Sequence, residues 1–339
     1  MPRPPLEKCE HVSIIGQGNV SLDVARMLLT PPSTLEKYDV PEPVLEVLRR
    51  SSVKHVSIIG RRGPFEAAFT TKELREMINL EDSSMVPIDP SHLMVPEGTK
   101  LTRQQSRTMQ LLQKGSKNTY GTTPKTWSLD FFRSPTGLAP ADPTPTSLRP
   151  YALSLAHNTL SSDKKAVPTG ETSTLRTSMV VTALGHEAEP FSPWYDLARR
   201  RVRTVSGRVT NRTGQILRNV YASGWAATGA RGVLVSTMID AYAVADTILA
   251  DAFPDQFFKE EGTSLSGDSL AHIMARKVDI ESIPEEVLDA QEMGRVTDYN
   301  DWRKIDQEEI RRGEKIGKER ERMNWEEARA FLEHVKGSA

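Results

Sequence analysis

The stretch that decides the fold is HVSIIGQGNVSLDVAR, residues 11–26 of the chain. Its β-branched run Val12–Ile15 is followed by glycine, which is typical of a buried strand in a parallel sheet. From Val20 to Leu29 the apolar residues recur with helical spacing and form one stripe. The stretch therefore predicts a strand, a glycine turn and a helix in direct succession.

The hexapeptide HVSIIG returns at His55–Gly60. Between the two copies, the proline-rich segment 30–43 predicts a break, and Val44–Arg50 predicts a second helical piece. Strand, helix and strand in this order predict a right-handed βαβ unit in a parallel sheet. We interpret the repeated hexapeptide as two strands with the same burial rather than as a duplicated module.

The first strand ends in the pattern G-x-G-x-x-S, formed by Gly16, Gly18 and Ser21. Gly16 permits a tight turn, Gly18 lets a pyrophosphate approach the backbone, and a small residue at Ser21 lets the helix pack close to the strand. Free N–H groups at the helix start favour phosphate. Because a strand and a helix flank the pattern, it predicts a dinucleotide site; the alternative is a glycine turn without a ligand.

The second strand ends in Arg61 and Arg62, where an NAD-binding unit would carry Asp or Glu for the ribose 2′-hydroxyl. Guanidinium groups pair bidentately with phosphate oxygens, whereas a carboxylate would repel them. The two arginines therefore favour NADP over NAD. The alternative is a pair of solvated loop arginines.

Further along the chain, Thr70–Leu80 predicts a helix that begins with a capping box of Thr70 and Glu73. Residues 95–120 predict a helix rich in Lys, Arg and Gln, and residues 134–148 predict an exposed loop. Apolar stretches predict three more strands, at residues 127–135, 151–157 and 178–185.

A second passage of strand, glycine-rich turn and helix begins at Val220–Ser223, with its helix starting at about Gly232. From about Ser264 the chain is charged and predicts helices with a solvated face. We place a domain boundary at residue 185, before the loop HEAEPFSPW.

Composition excludes several classes of protein. Lys and Arg total 44 against 45 Asp and Glu, and a formal charge of −1 gives no basis for binding nucleic acid or an anionic membrane. The single cysteine, Cys9, excludes an internal disulfide and favours a reducing compartment. No apolar run is long enough for a membrane span. The first residues, MPRPPLEKCEH, resemble neither a secretory signal nor a transit peptide.

Five stretches together resemble the NADPH–adrenodoxin (ferredoxin) reductases of mitochondria and their bacterial relatives: IIGQGNVSLDVARMLLTPP, IIGRRGPFEAAFTTKELREMINL, FFRSP, AVPTG and YASGW…TGARGVLVSTMIDAY. The resemblance runs from Val12 to about Val335. It implies an α/β fold with a Rossmann-like NADP-binding domain (residues 10–185) plus the C-terminal part of a split FAD-binding domain (186–262). Residues 263–339 would be a charged extension of the latter.

The resemblance also implies a reaction and a location. Similar enzymes pass a hydride from NADPH to FAD, and the reduced flavin passes single electrons to a [2Fe–2S] ferredoxin. We therefore expect the cofactors NADP(H) and FAD, an acidic ferredoxin partner, and the mitochondrial matrix. Basic residues of segment 95–120, among them the helical pair Arg103 and Arg107, would dock the ferredoxin; the alternative is a solvated face.

By position, the resemblance implies a set of cofactor contacts, with no catalytic side chain and no metal ligand: Gly16, Gln17, Gly18 and Asn19 for the NADP pyrophosphate region, Arg61 and Arg62 for the 2′-phosphate, Glu73 for NADP, and Trp225, Gly232, Val233 and Leu234 for flavin. Glu73 also has a role as the far end of the capping box. Trp225 has the alternative of a core aromatic.

The chain departs from the family pattern in two places. The family's Gly-Pro-Thr-Gly before the flavin helix is Gly229-Ala230-Arg231-Gly232 here, which puts a cation near the cofactor. The family also has an FAD-binding strand–GxGxxG–helix ahead of the NADP motif, and we expect this chain to lack it and to bind FAD weakly.

Three functional hypotheses follow. The first is a flavin-dependent NADPH–ferredoxin reductase represented without its N-terminal FAD half. The second is a non-catalytic NADP(H)-binding protein that has lost FAD. The third, an NADP-dependent dehydrogenase of a small substrate, is disfavoured because no proton-transfer motif such as Tyr-x-x-x-Lys accompanies the cofactor motif.

Overall fold

The structure is a computed structural model that describes residues 3–95, 98–141, 150–187, 190–191, 194–230, 232, 234–253 and 285–337. The chain divides into two compact units. The first comprises Met1–Leu184 with Thr297–Ala339, and the second comprises Gly185–Val296.

The strands are, in chain order, β1 His11–Ile15, β2 His55–Ile59, β3 Ser83–Met85, β4 Lys125–Asp130, β5 Arg133–Pro140, β6 Tyr151–Leu160, β7 Ala166–Thr177, β8 Met179–Thr182, β9 Tyr195–Asp196, β10 Arg201–Val202, β11 Thr204–Val205, β12 Arg208–Thr210 and β13 Ile216–Tyr221. The helices are α1 Asn19–Leu29, α2 Pro32–Leu35, α3 Glu42–Arg49, α4 Thr71–Ile78, α5 Arg103–Lys114, α6 Trp225–Thr228, α7 Leu234–Ala252, α8 Glu285–Glu292, α9 Tyr299–Glu314 and α10 Trp325–Gly337. Short 3₁₀ turns lie at Leu6–Lys8, Pro64–Glu66 and Pro90–Leu93.

A five-stranded parallel sheet forms the centre of the first unit, in the order β3-β4-β2-β1-β8. The two copies of the repeated hexapeptide pair with each other in register, His11 opposite His55 and Ile15 opposite Ile59. The predicted βαβ unit and the α/β, Rossmann-like fold are therefore confirmed. The predicted helix break also contains the short helix α2.

The two faces of this sheet differ, which explains why both copies alternate polar and apolar residues. Val12 and Ile14 of β1, with their β2 counterparts Val56 and Ile58, are fully buried on the face that also packs against apolar side chains of α1, α4 and α5. The opposite face carries a row of serine and histidine side chains. A separate antiparallel sheet, β5-β6-β7, packs against this second face near the strand ends.

Hydrogen bonds connect the polar row across three strands. Ser128 Oγ lies 3.2 Å from Ser57 Oγ, and His11 Nε2 lies 2.9 Å from the same Ser57 hydroxyl. The rings of His11 and His55 meet edge to face with centroids 4.8 Å apart. Burial lowers the pKa of both imidazoles, that of His55 to about 4, so both rings are neutral at physiological pH.

The structure differs from the sequence-based prediction between β4 and β6. Residues 134–148 were expected to form a loop, but Arg133–Pro140 form strand β5, which pairs with β6. Proline is tolerated there because β5 is an edge strand of its sheet. Residues 142–149 lie outside the described residues. The helix expected over 95–120 is shorter, Arg103–Lys114.

The C-terminal helices α9 and α10 belong to the first unit. The ammonium of Lys318, only 5% exposed, lies 3.1 Å from a Glu42 carboxylate oxygen and 3.0 Å from one of Glu321. Arg322 lies 2.9 Å from Asp39. These ion pairs join the C-terminal segment to the start of α3 and the turn before it. The sequence assigns residues 263–339 to the second domain, whereas the structure groups residues 297–339 with the first unit.

The second unit contains β9–β13 and α6–α8, with the antiparallel sheet β11-β12-β13 beside helix α7. Arg208 of β12 forms two hydrogen bonds of 2.6 Å with Asp251 near the end of α7, and Tyr221 donates to the same carboxylate at 2.9 Å. The predicted second passage is confirmed for its strand and helix, β13 and α7; the glycine-rich segment between them also contains the short helix α6.

Candidate functional site

The first candidate site lies at the carboxyl edge of the parallel sheet, where β1 turns into α1. Gly16 has φ +129°, a conformation that residues with a side chain rarely adopt. An alanine Cβ at position 16 would lie 2.3 Å from the carbonyl oxygen of Ala183, which follows β8. Gly16 N–H donates to the Ile59 carbonyl at 2.8 Å. The turn therefore requires glycine for both its conformation and its packing.

Gly18 is the N-cap residue of α1, and the space around it is open, whereas that around Gly16 is filled. Its backbone is extended, no side chain caps the helix, and a Cβ at this position would meet no atom within 4 Å. The start of α1 thus has no capping side chain, and the space beside the Gly18 Cα is open. A pyrophosphate fits this position, because the missing Cβ lets it approach amides that a helix start leaves unpaired.

Gln17 and Asn19 point their side chains into the protein. Gln17 Nε2 donates to the Ile58 carbonyl at 3.3 Å, and its carboxamide fills the space where a Cβ of residue 60 would be, which accounts for Gly60. Asn19 Oδ1 accepts the backbone N–H of Thr70 at 2.7 Å. The Gln17 carboxamide and the Asn19 Oδ1 are therefore engaged within the protein, and the backbone amides of the turn could still bind a phosphate.

The capping box predicted at the start of α4 is half formed. Thr70 Oγ1 accepts the N–H of Glu73 at 3.4 Å, but Asn19 takes the Thr70 N–H that the glutamate would otherwise bind. The Glu73 carboxylate instead lies 3.7 Å from an Arg26 guanidinium nitrogen, which also pairs with Glu76. Glu73 as an NADP contact stays a prediction.

Arg61 and Arg62 follow β2 at the same edge of the sheet. Arg61 is exposed and Arg62 half-buried, and within the described ranges no carboxylate pairs with either guanidinium. The turn after β4 and strand β6 hold their backbone: Phe132 N–H donates to the Arg62 carbonyl and Asn158 Nδ2 to the Arg61 carbonyl, both at 3.1 Å. Two unpaired cations on a fixed backbone are suited to an anion such as a 2′-phosphate.

Sequence reasoning missed two polar groups near this edge. Asp130 ends β4; burial raises the pKa of its carboxyl, and Ser128 Oγ donates to it at 3.1 Å. Asn158 is buried inside β6 beside Arg61. The place of Asp130 at the end of an apolar strand is a signal that the sequence carries, but no local pattern distinguishes Asn158.

The second candidate site lies in the second unit, at the turn between β13 and α7. Trp225 is 47% exposed and stacks on His186 with ring centroids 5.8 Å apart, so it is not a core aromatic. Gly224 and Gly232 both have positive φ, and Asp240 of α7 accepts the Gly224 N–H at 2.5 Å. Leu234 is 85% exposed, whereas Val233 and Arg231 lie outside the described residues.

The two arginines of the predicted docking surface lie on helix α5. Arg103 and Arg107 are exposed on α5, whose start has a complete capping box of Thr102 and Gln105.

Among the described residues, no helix is long and apolar enough to cross a membrane, and no cluster of His, Cys, Asp or Glu could hold a metal ion.

Comparison with known proteins finds relatives that are named as oxidoreductases. No protein-family model matches the chain. The chain is 34% identical over 330 residues to NADPH:adrenodoxin oxidoreductase, mitochondrial, of Rattus norvegicus, covering 93% of the chain and 62% of that protein. The enzyme of the same name from Arabidopsis thaliana is 29% identical, covering 96% of the chain and 67% of the plant protein.

A solved structure is similar as well. Mycobacterium tuberculosis FprA in complex with NADPH superposes with a TM-score of 0.73 at 27% identity, covering 97% of this chain and 68% of FprA. The chain thus matches the rat protein over 93% of its own length but spans only 62% of the length of the rat and human proteins.

Proposed function

The chain is a homologue of the mitochondrial NADPH:adrenodoxin oxidoreductases, and we propose that it carries the NADP(H)-binding site of an NADPH–ferredoxin oxidoreductase. The observation that carries the proposal is the pair Arg61 and Arg62 at the end of β2, whose guanidiniums have no carboxylate partner among the described residues, beside a helix start at Gly18 without a side-chain cap. A phosphate beyond the pyrophosphate is what distinguishes NADP from NAD.

Each part of the first site would hold one part of NADP(H). The amides that follow Gly18 would bind the pyrophosphate, and Arg61 and Arg62 the 2′-phosphate, so that adenosine lies along the carboxyl edge of β1 and β2. Neither role needs proton transfer. The work of this unit is to bind the dinucleotide and fix its orientation.

FAD, when bound, would accept the hydride and release electrons singly to a [2Fe–2S] ferredoxin. The turn at Gly224–Gly232 fits a flavin in part: Trp225 presents an exposed ring, and the positive-φ glycines allow close backbone approach. Helix α7 is apolar and largely exposed, with Leu234, Ile239 and Tyr242 each more than half exposed. We propose that this surface packs against an FAD-binding strand–GxGxxG–helix of the kind that the family resemblance implies.

The proposed domains follow the predicted boundaries: NADP-binding over residues 10–185 and the C-terminal part of an FAD-binding domain over 186–262. Residues 263–339 would be a charged extension of the latter, of which residues 297–339 group with the first unit. The proposed location is the mitochondrion, since the relatives carry that label in their names.

A visible absorption spectrum of the purified chain tests the flavin part of the proposal. The chain is mixed with FAD, freed of unbound flavin and then given NADPH without oxygen. A protein-bound flavin band that NADPH bleaches is expected if the chain assembles a hydride-transfer site. A colourless protein that binds NADPH would support the second candidate, a non-catalytic NADP(H)-binding protein, and a protein that binds neither would contradict both.

We further propose that α5 docks the ferredoxin through Arg103 and Arg107. Both guanidiniums are exposed one helical turn apart and would attract an acidic partner. Replacing both with glutamate is expected to weaken binding of a [2Fe–2S] ferredoxin to the chain about tenfold at low salt and less at high salt. Lys54→Glu changes a distant exposed cation and should have a small effect. Equal ferredoxin affinities of the double variant and the wild type would overturn the docking surface.

A further inference from the structure

Asn158 is a buried polar residue that neither the sequence motifs nor the cofactor contacts account for. It lies in β6 and is only 8% exposed. At this point the pairing of β6 with β7 shifts its register, between Ala156 and Asn158. A buried carboxamide is costly unless its hydrogen bonds are made, so its partners indicate what it does.

Those partners lead to the backbone of the arginine pair. Asn158 Nδ2 donates to the Arg61 carbonyl at 3.1 Å and to Ser134 Oγ at 2.8 Å. The backbone N–H of Asn158 donates to the Phe132 carbonyl at 2.9 Å, and Phe132 N–H in turn donates to the Arg62 carbonyl at 3.1 Å. The Asn158 side chain thus holds the backbone of Arg61, whereas its link to Arg62 through Phe132 uses backbone groups only.

The turn through which it acts is itself conformationally unusual. Phe132 has φ +56°, which is rare for a residue with a bulky side chain. Such a conformation persists when surrounding bonds fix it. The hydrogen bonds of Phe132 to Arg62 and Asn158 provide that constraint.

We propose that Asn158 is a positioning residue for the discrimination of NADP(H) from NAD(H). An arginine side chain has many rotamers, and binding a phosphate costs less entropy when its backbone is already fixed. The Asn158 carboxamide supplies this fixing for Arg61. The inference rests on the proposed NADP(H) site, because NAD(H) has no 2′-phosphate for the arginines to bind.

The test measures NADPH and NADH binding by the intact chain, using the change in nicotinamide fluorescence. Asn158→Ala is expected to raise the Kd for NADPH about tenfold, because the Arg61 carbonyl loses a buried hydrogen bond and the loop its support. The Kd for NADH should stay as in the wild type. A merely structural role would not change the ratio of the two Kd values. If Asn158→Ala does not yield folded protein, Asn158→Ser, which is too short to reach Arg61, takes its place.

Asn118→Ala is the matched control. Asn118 Nδ2 also donates to backbone carbonyls, those of Leu80, Glu81 and Ser83, but none of them belongs to the arginine loop. This control is expected to lower the thermal midpoint and to leave the NADPH-to-NADH ratio unchanged. A folded Asn158 variant that keeps the wild-type ratio would overturn the inference alone. A wild-type chain without preference for NADPH would overturn the proposed function and the inference with it.

Discussion

Replacing Gly16 with alanine is expected to destabilise the first unit by about 3 kcal/mol or more, because two unfavourable effects act at one position. The backbone there has φ +129°, and the added Cβ would lie 2.3 Å from the carbonyl oxygen of Ala183. That oxygen belongs to the backbone beside β8, the sheet neighbour of β1, and cannot rotate away as a side chain could. Thermal unfolding followed by circular dichroism measures the effect, with an expected fall in midpoint of about 6–12 °C.

Gly18→Ala provides the internal comparison two residues away in the same motif. Position 18 has φ −107° and nothing within 4 Å of its Cβ, so stability should change by no more than about 0.5 kcal/mol. The methyl group would nevertheless occupy the approach of the pyrophosphate, and NADPH affinity should fall about tenfold or more. Equal thermal midpoints for the two variants would contradict the division of roles between these glycines.

Replacing both Arg61 and Arg62 with alanine is expected to weaken NADPH binding by about a hundredfold while leaving NADH binding unchanged. The reason is that each guanidinium would supply charge-assisted hydrogen bonds to the 2′-phosphate, worth about 1.5–3 kcal/mol apiece in favourable geometry. The two contributions share one phosphate and need not add. Parallel titrations with NADPH and NADH measure the effect. The ratio of the two Kd values removes any change in affinity that is common to both nucleotides.

Arg49 and Arg50 form the matched control pair. They are also consecutive arginines of the first unit, but Arg49 is paired with Glu36 and Glu42 at the end of α3. Replacing both with alanine removes the same charge and should change NADPH affinity less than about threefold, since exposed charges at a distance are screened. If the control pair weakens NADPH binding as much as the Arg61 and Arg62 pair, the effect is one of net charge, and a specific 2′-phosphate site is excluded.

The parallel sheet and the first candidate site could be predicted from the sequence, because the signals for each strand, turn and helix lie within one short stretch of the chain. A β-branched run, a glycine turn and an amphipathic stripe identify β1, the turn and α1 within one stretch, and the arginines directly follow the second strand. The edge strand β5 was missed for a related reason. Its proline-rich sequence is typical of loops, and only its partner β6, reached across a long connection, makes it a strand.

The sequence by itself determined which backbone positions must be glycine, which cations follow β2, and that the two like strands belong to one sheet. Only the tertiary structure decided where three polar side chains point: Gln17 to the Ile58 carbonyl, Asn19 to the Thr70 N–H and Asn158 to the Arg61 carbonyl. These hydrogen bonds join residues far apart in the chain. Their partners are backbone groups, which every residue type carries and which therefore leave no mark in the sequence.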